Sequence, residues 1–190
     1  MEKWKIIAIG TASTALIALL LRKTIPVSRP ALAAISQPDG SWPTSTRPYA
    51  FLTYASNRVN VTGLHPIVLP RFLAMAQEYN AKTKKKLLVN SGLRSSTYQK
   101  VLYDRDLASS QTPLGQPKKV GIASGFVARP NSSPHERGLA IDVNSAQASE
   151  LDRLGLIKKY GFDRPLWPKG RAKVTEEWHI QIRPDFLKVS

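Results

Sequence analysis

His135, Asp142 and His179 are side chains of the types that hold a catalytic zinc through three protein ligands while leaving a coordination position open. The first two lie in Ser133-Pro134-His135-Glu136-Arg137-Gly138-Leu139-Ala140-Ile141-Asp142, and the third closes Glu176-Glu177-Trp178-His179. The chain has no cysteine, so disulfides and thiolate zinc sites are excluded and any such metal must use imidazole and carboxylate. Zinc held in this way polarises carbonyls and lowers the pKa of bound water from 15.7 to about 7. A lone histidine is more often structural than a ligand, so the case depends on whether the fold brings these residues together.

Convergence requires elements that turn the three side chains to one side. Leu139, Ile141 and Val143 alternate with Ala140, Asp142 and Asn144, the period of a strand that carries Asp142 on the face opposite its aliphatic residues. Trp178, Ile180 and Ile182 repeat the alternation and place His179 on the polar face of a last strand. His135 sits between a Ser-Pro turn and Gly138, a loop-like setting from which it could meet ligands on adjacent strands. Spacing alone leaves this arrangement and the structural reading both open. If the last strand were already regular at Glu177, alternation would align Glu177 rather than Glu176 with His179.

The preceding segments supply the frame. Leu64-His65-Pro66 leads into a helix in which Pro70 suits the first position and Leu69, Phe72, Leu73 and Ala76 share one face. His65 reads as a helix-entry contact rather than a further ligand. Leu87-Leu88-Val89 reads as a short buried strand ending at Asn90-Ser91-Gly92, with a helix starting at Ser95 or Ser96, since Ser96 and Gln99 have capping-box spacing. Arg94 therefore falls at a strand-to-helix junction, a common place for functional side chains. Residues 106–130 carry several glycines and prolines without periodicity and read as a long loop. A helix over about residues 149–160 follows the Asp142 strand, with Gly161 at its end. Trp167, between Pro165 and Pro168, reads as part of a packed loop.

Residues 6–21 are uncharged and mostly apolar, between Lys3 and Lys5 on one side and Arg22 and Lys23 on the other. Sixteen residues fall short of the roughly 20 that span a bilayer, so residues 1–25 read as an N-terminal signal-anchor or a signal peptide. Residues 26–48 are rich in Pro, Ser and Thr and read as a linker, leaving residues 49–190 as one domain. Twenty-eight Lys and Arg against thirteen Asp and Glu give a net charge of +15, which concentrates the protein on polyanions. Nucleic acid is the weakest of these, because the chain lacks interleaved aromatics, a basic recognition helix and zinc-finger spacing.

The two motifs together resemble those of the zinc D,D-peptidases of peptidoglycan, a group that includes vancomycin-resistance-type D-alanyl-D-alanine carboxypeptidases and phage endolysins. Ser133, His135, Gly138, Ala140 and Asp142 match a Ser-x-His-x-x-Gly-x-Ala-x-Asp pattern, and Glu176, Trp178 and His179 match Glu-x-Trp-His. Leu64-His65-Pro66, Ser91-Gly92-Leu93-Arg94-Ser95 with Gln99, and Tyr160-Gly161-Phe162 extend the likeness over about residues 60–185. Leu93 stands where relatives often have an aromatic residue, and Pro134 fills a variable position.

The resemblance implies that His135, Asp142 and His179 hold Zn2+, Glu176 is the catalytic base, and Arg94 steadies the substrate carbonyl. Ser133 and Gln99 are the candidate substrate-binding residues, Ser133 otherwise shaping its turn and Gln99 otherwise starting the helix or standing beside Arg94 in the cleft. It implies an α+β fold in which a small antiparallel sheet carries the site and helices pack on one side, a hedgehog/D,D-peptidase-like zinc fold. The implied function is hydrolysis of peptidoglycan stem peptides as a D-alanyl-D-alanine carboxypeptidase. The alternatives are an L-alanyl-D-glutamate-type endopeptidase and a non-catalytic zinc-fold module that binds the wall. The expected partners are a peptidoglycan peptide, the anionic cell wall and a membrane through the N-terminal segment, with no nucleic acid. A monomer is expected, in the cell envelope, membrane-anchored or secreted with its catalytic domain on the wall side.

Overall fold

The short aliphatic runs become strands of one sheet: β1 (Leu52–Tyr54), β2 (Leu87–Ser91), β3 (Ala140–Val143), β4 (Phe162–Asp163) and β5 (His179–Ile182). This is a computed structural model that describes residues 39–166 and 175–187. The strand order is β1-β2-β3-β5-β4. The pairs β2–β3, β3–β5 and β4–β5 are antiparallel, as expected, whereas β1 pairs with β2 in parallel. The parallel pair follows from the connection, since the chain between β1 and β2 passes through helix α1 (Val68–Thr83), the kind of crossover that parallel neighbours need. Neither β1 nor β4 was anticipated, because two or three residues are too few to display a period.

Helix α1 buries Val68, Phe72, Met75, Ala76 and Tyr79, spaced so that one stripe faces inward. It packs on β2 and on the short helix α4 (Leu156–Lys159). Each fully buried Phe or Met side chain contributes about 1.5–3 kcal/mol relative to exposure. Pro70 is the third residue of α1 rather than the first, which it tolerates because the first four helical N–H groups have no intrahelical partner anyway. Those groups find partners in His65, whose carbonyl accepts from the Val68 and Leu69 N–H groups and whose Nδ1 accepts from the Ile67 N–H. Helix α2 (Ser96–Ala108) follows β2 and is capped by Ser95, whose hydroxyl accepts from the Tyr98 N–H. The capping-box pairing of Ser96 with Gln99 is not what starts it.

The single helix expected over residues 149–160 is instead two, α3 (Ser145–Arg153) and α4. Asn144 moves the start forward by accepting from the Gln147 N–H, and Gly155, at φ 69°, breaks the run. The stretch from 109 to 133 holds no helix or named strand, yet it is pinned: the buried Lys118 ammonium donates to the carbonyls of Asp106, Ser109 and Ile122. The Asp106 carboxylate accepts in turn from the Ser124 N–H at 2.8 Å.

Part of the expected linker is packed against the residues that follow it. Trp42 and Thr46 are buried, and the Thr46 carbonyl accepts from the Val61 N–H. Prolines forbid regular elements here without forbidding packing. The expected anchor, residues 1–25, most of the expected linker, and Trp167 lie outside the described residues. Among the described residues no helix is long and apolar enough to cross a membrane.

Candidate metal centre

Strand register brings two of the three ligand types together. Asp142 on β3 is the direct antiparallel partner of His179 on β5, which puts their side chains on one face with Cβ atoms about 5 Å apart. His135 arrives from a different element, the 3-10 helix Pro134–Arg137. The hydroxyl of Ser133 accepts from the His135 N–H, and the Glu136 carboxylate reaches back to the Ser133 N–H, completing a capping box. Gly138 ends the turn at φ 66°. A side chain there would meet the His65 backbone nitrogen at 2.6 Å, so glycine serves both the turn and the close approach.

Asp142 Oδ1 lies 3.3 Å from His135 Nε2 and 3.0 Å from His179 Nδ1. All three residues are buried, and one ligand atom from each falls within 4.8 Å of the others. Zinc binds nitrogen and oxygen donors of this kind at about 2.0–2.2 Å, which makes tetrahedral neighbours about 3.3 Å apart. Spacing and donor chemistry both fit that ion. His135 Nδ1 contacts the Gly92 carbonyl at 3.0 Å. A carbonyl only accepts, so Nδ1 carries the proton and Nε2 keeps the lone pair that a metal needs.

The charges of the cluster act on one another. Burial works against the charged form of Asp142, but the adjacent His135 and His179 rings outweigh it and hold the carboxyl well below the usual carboxylate range. Burial also opposes protonation of His179, yet its bond to Asp142 and the nearby Glu176 leave it raised. Glu176 is raised chiefly by burial. Its Oε2 is 3.9 Å from His179 Nδ1, and its carbonyl accepts from the His179 N–H.

Strand β5 begins at His179, one residue later than expected, and a turn at residues 177 and 178 precedes it. Glu176 is therefore outside the strand's alternation, and the alignment that would favour Glu177 does not apply. Glu176 lines a cavity of about 450 Å³ together with His135, Asp142 and His179. The Glu177 carbonyl is engaged by the buried Arg164, which also pairs with Asp152.

Arg94 lies between β2 and α2, as the junction argument placed it. Its guanidinium donates to Gln99 Oε1 at 2.8 Å and to the Ser91 hydroxyl at 3.2 Å, and it lies 3.9 Å from Asp142 Oδ2. A bulge helps set this up: Val89 pairs with Val143 but Ser91 pairs with Asp142, so β2 gains a residue beside the site.

Between the alternatives left open for Gln99 and Ser133, the contacts show what each side chain touches. Gln99, expected to touch substrate, is 0% exposed, and both its amide atoms are taken, one by Arg94 and the other by the Ala128 carbonyl at 2.6 Å. Its side chain therefore stands beside Arg94, out of reach of solvent. Ser133 lines the cavity, and its hydroxyl oxygen accepts from the His135 N–H in the turn. The Ala128 carbonyl and Arg164 were missed at the sequence level. No local pattern marks either, since each acts through a contact made only by the folded chain.

The sequence profile of the family described as VanY, D-alanyl-D-alanine carboxypeptidase, matches residues 62–185. No curated protein matches the chain significantly in sequence. Among solved structures, VanYB in complex with D-alanine-D-alanine is 23% identical with a TM-score of 0.50, over 69% of this chain and 76% of that one. The LdcB LD-carboxypeptidase is 25% identical with a TM-score of 0.51, over 69% of this chain and 64% of that one. A mutant of the vancomycin-resistance D,D-pentapeptidase VanY in complex with Zn(II) is 21% identical with a TM-score of 0.50, over 78% and 85%. The matched profile spans both motifs and the Arg94 junction, and the fold is shared: the chain belongs to the VanY family of D-alanyl-D-alanine carboxypeptidases, zinc peptidases that act on peptidoglycan.

Proposed function

We propose that His135, Asp142 and His179 hold the zinc, that Glu176 is the general base, and that the chain removes the terminal D-alanine from peptidoglycan stem peptides. The observation that carries this reading is the meeting, in one buried cluster beside one cavity, of the two histidines, a carboxylate held ionised, and Glu176. Zinc bound there supplies Lewis acidity, activating water and polarising the scissile carbonyl. Glu176 takes the proton from the attacking water as the oxygen adds to the carbonyl carbon. It returns that proton to the amine nitrogen as the C–N bond breaks. Arg94, locked by Gln99 and Ser91, presents a fixed positive charge to the carbonyl oxygen as negative charge grows on it. His135 keeps its orientation through the Gly92 carbonyl.

A carboxypeptidase is favoured over the endopeptidase alternative by the matched family, and a non-catalytic module is disfavoured by the presence of both Glu176 and Arg94 in the site. We further propose that residues 1–25 anchor the chain or direct its export, that residues preceding Trp42 tether a monomeric domain, and that the domain works on the wall side of the membrane. The apolar run flanked by lysines and the charge of +15 support this placement. The test is incubation of the zinc-loaded protein with a defined muropeptide pentapeptide and weighing of the products. Loss of one alanine, abolished by EDTA and restored by zinc, is the expected result. A newly freed L-alanine end would transfer the assignment to an endopeptidase, and hydrolysis untouched by EDTA would overturn the metal reading.

A further inference from the structure

The catalytic cavity does not end at Arg94. A second cavity of about 540 Å³ shares Arg94, Leu102, Asp142 and Trp178 with it and continues to Trp42, Arg58 and Tyr98. Its outer wall is made by the segment ahead of the first strand and by the loop after it. The Arg58 Nε donates to the Asp39 carbonyl at 2.9 Å, and the Trp42 N–H donates to the Asn57 carbonyl at 2.8 Å. Gly40 packs so closely on the Tyr98 ring that a Cβ there would lie 2.5 Å from it. The Arg58 guanidinium lies over the same ring, 5.5 Å from its centroid.

This wall is organised and cationic. The aromatic contact and the Nε bond orient the exposed Arg58 guanidinium, with the Asp39 carboxylate as its acidic neighbour, while its two terminal amino groups have no hydrogen bond among the described residues. A planar fork with free N–H groups beside an aromatic-lined cavity is suited to a carboxylate, which it binds with two parallel hydrogen bonds. A dipeptide fills only the end of such a joined cleft, whereas a longer acyl peptide needs room beyond the reacting bond.

We infer that the second cavity is the subsite for the part of the substrate peptide upstream of the scissile residues, and that Arg58 selects peptides bearing a free carboxylate there. The inference rests on the peptidase reading proposed above and deepens it by naming the substrate class. Arg58 determines specificity and takes no part in bond breaking.

The test uses the zinc-loaded full chain and a matched pair of stem pentapeptides that differ only at the acidic residue, one with its free α-carboxylate and one with the carboxamide. The wild type is expected to favour the free acid about tenfold in kcat/KM, with the difference in KM. Arg58→Gln removes the preference, Arg58→Lys restores only part of it, and Lys86→Gln, which removes one exposed charge at the far end of β2, retains it. Equal handling of the pair by the wild type, or the same loss in Lys86→Gln as in Arg58→Gln, would overturn the subsite. Calorimetric binding of the same pair separates the two readings. If the wild type cleaves nothing, not even an acylated D-alanyl-D-alanine dipeptide, but binds the free acid tighter in an Arg58-dependent way, the subsite stands and the peptidase reading falls.

Discussion

At the scale of single residues, the site divides into groups that line the cavity and buried groups that hold them in place. Glu176 belongs to the first set, lining the cavity and raised by burial, whereas Glu177 gives only its carbonyl to Arg164. Glu176→Gln is expected to lower turnover by about 10²- to 10⁴-fold with zinc retained, while Glu177→Gln stays near the wild type. A D-alanine release assay decides between them, and full activity in Glu176→Gln would remove it from the mechanism. Gln99 belongs to the second set. Gln99→Leu keeps the buried volume but leaves Arg94 without its 2.8 Å acceptor. A drop in kcat of about tenfold is expected, with zinc content at one equivalent and KM little changed, since the lost interaction is with a charged group. A fall in zinc content would show instead that Gln99 acts through the metal cluster.

At the scale of elements, the site depends on where backbones touch. Gly92 joins β2 to the Arg94 junction, and its carbonyl orients His135. A Cβ on Gly92 would lie 2.1 Å from the Asn60 carbonyl oxygen, which already accepts from the Leu93 N–H at 2.8 Å. That neighbour is backbone and cannot swing aside. Gly92→Ala is therefore expected to cost about 2–3 kcal/mol in urea unfolding and to weaken zinc binding about 10- to 100-fold, because the His135 ring loses its orienting carbonyl. Wild-type zinc affinity in a variant of lowered stability would uncouple the two effects. The register of β3 on β5 acts at the same scale: a slip of one residue would turn Asp142 or His179 to the opposite face.

At the scale of the whole molecule, polar links tie the helical layer together behind the sheet. Glu78 on α1 accepts from the Lys159 ammonium at 2.5 Å and from the Tyr160 hydroxyl at 2.6 Å, across the gap to α4. Burial opposes its ionisation, but those two partners outweigh burial and hold its carboxyl below the ordinary value of 4.5. A carboxylate whose pKa falls on folding stabilises the fold fully above that ordinary value and loses its contribution as the pH drops through the folded one. Glu78→Gln is thus expected to cost about 1 kcal/mol at neutral pH, the pairs being partly solvent-screened. The gap from the wild type should close on acidification below the ordinary carboxylate value. Urea midpoints across a pH series check this, and a gap independent of pH would assign the effect to shape rather than charge.

Residue type and order were enough to mark five side chains that the fold gathers around one cavity. His135, Asp142, Glu176, His179 and Arg94 stand in motifs whose ordered combination is specific, and the strand period puts Asp142 and His179 on polar faces. The three central strands and the α+β class were also readable, because alternation and short aliphatic runs are local signals. The sequence could not show that the capping box belongs to His135 rather than to α2, that Gly155 splits a helix, or that Gln99 turns inward. The first two are local outcomes between competing cap and turn signals, whereas the third depends on a partner distant in sequence, the Ala128 carbonyl. The sequence by itself determined which chemistry is present; only the tertiary structure decided which groups are free to meet a substrate and which are spent holding others in place, because that depends on burial and on hydrogen bonds that close between remote segments.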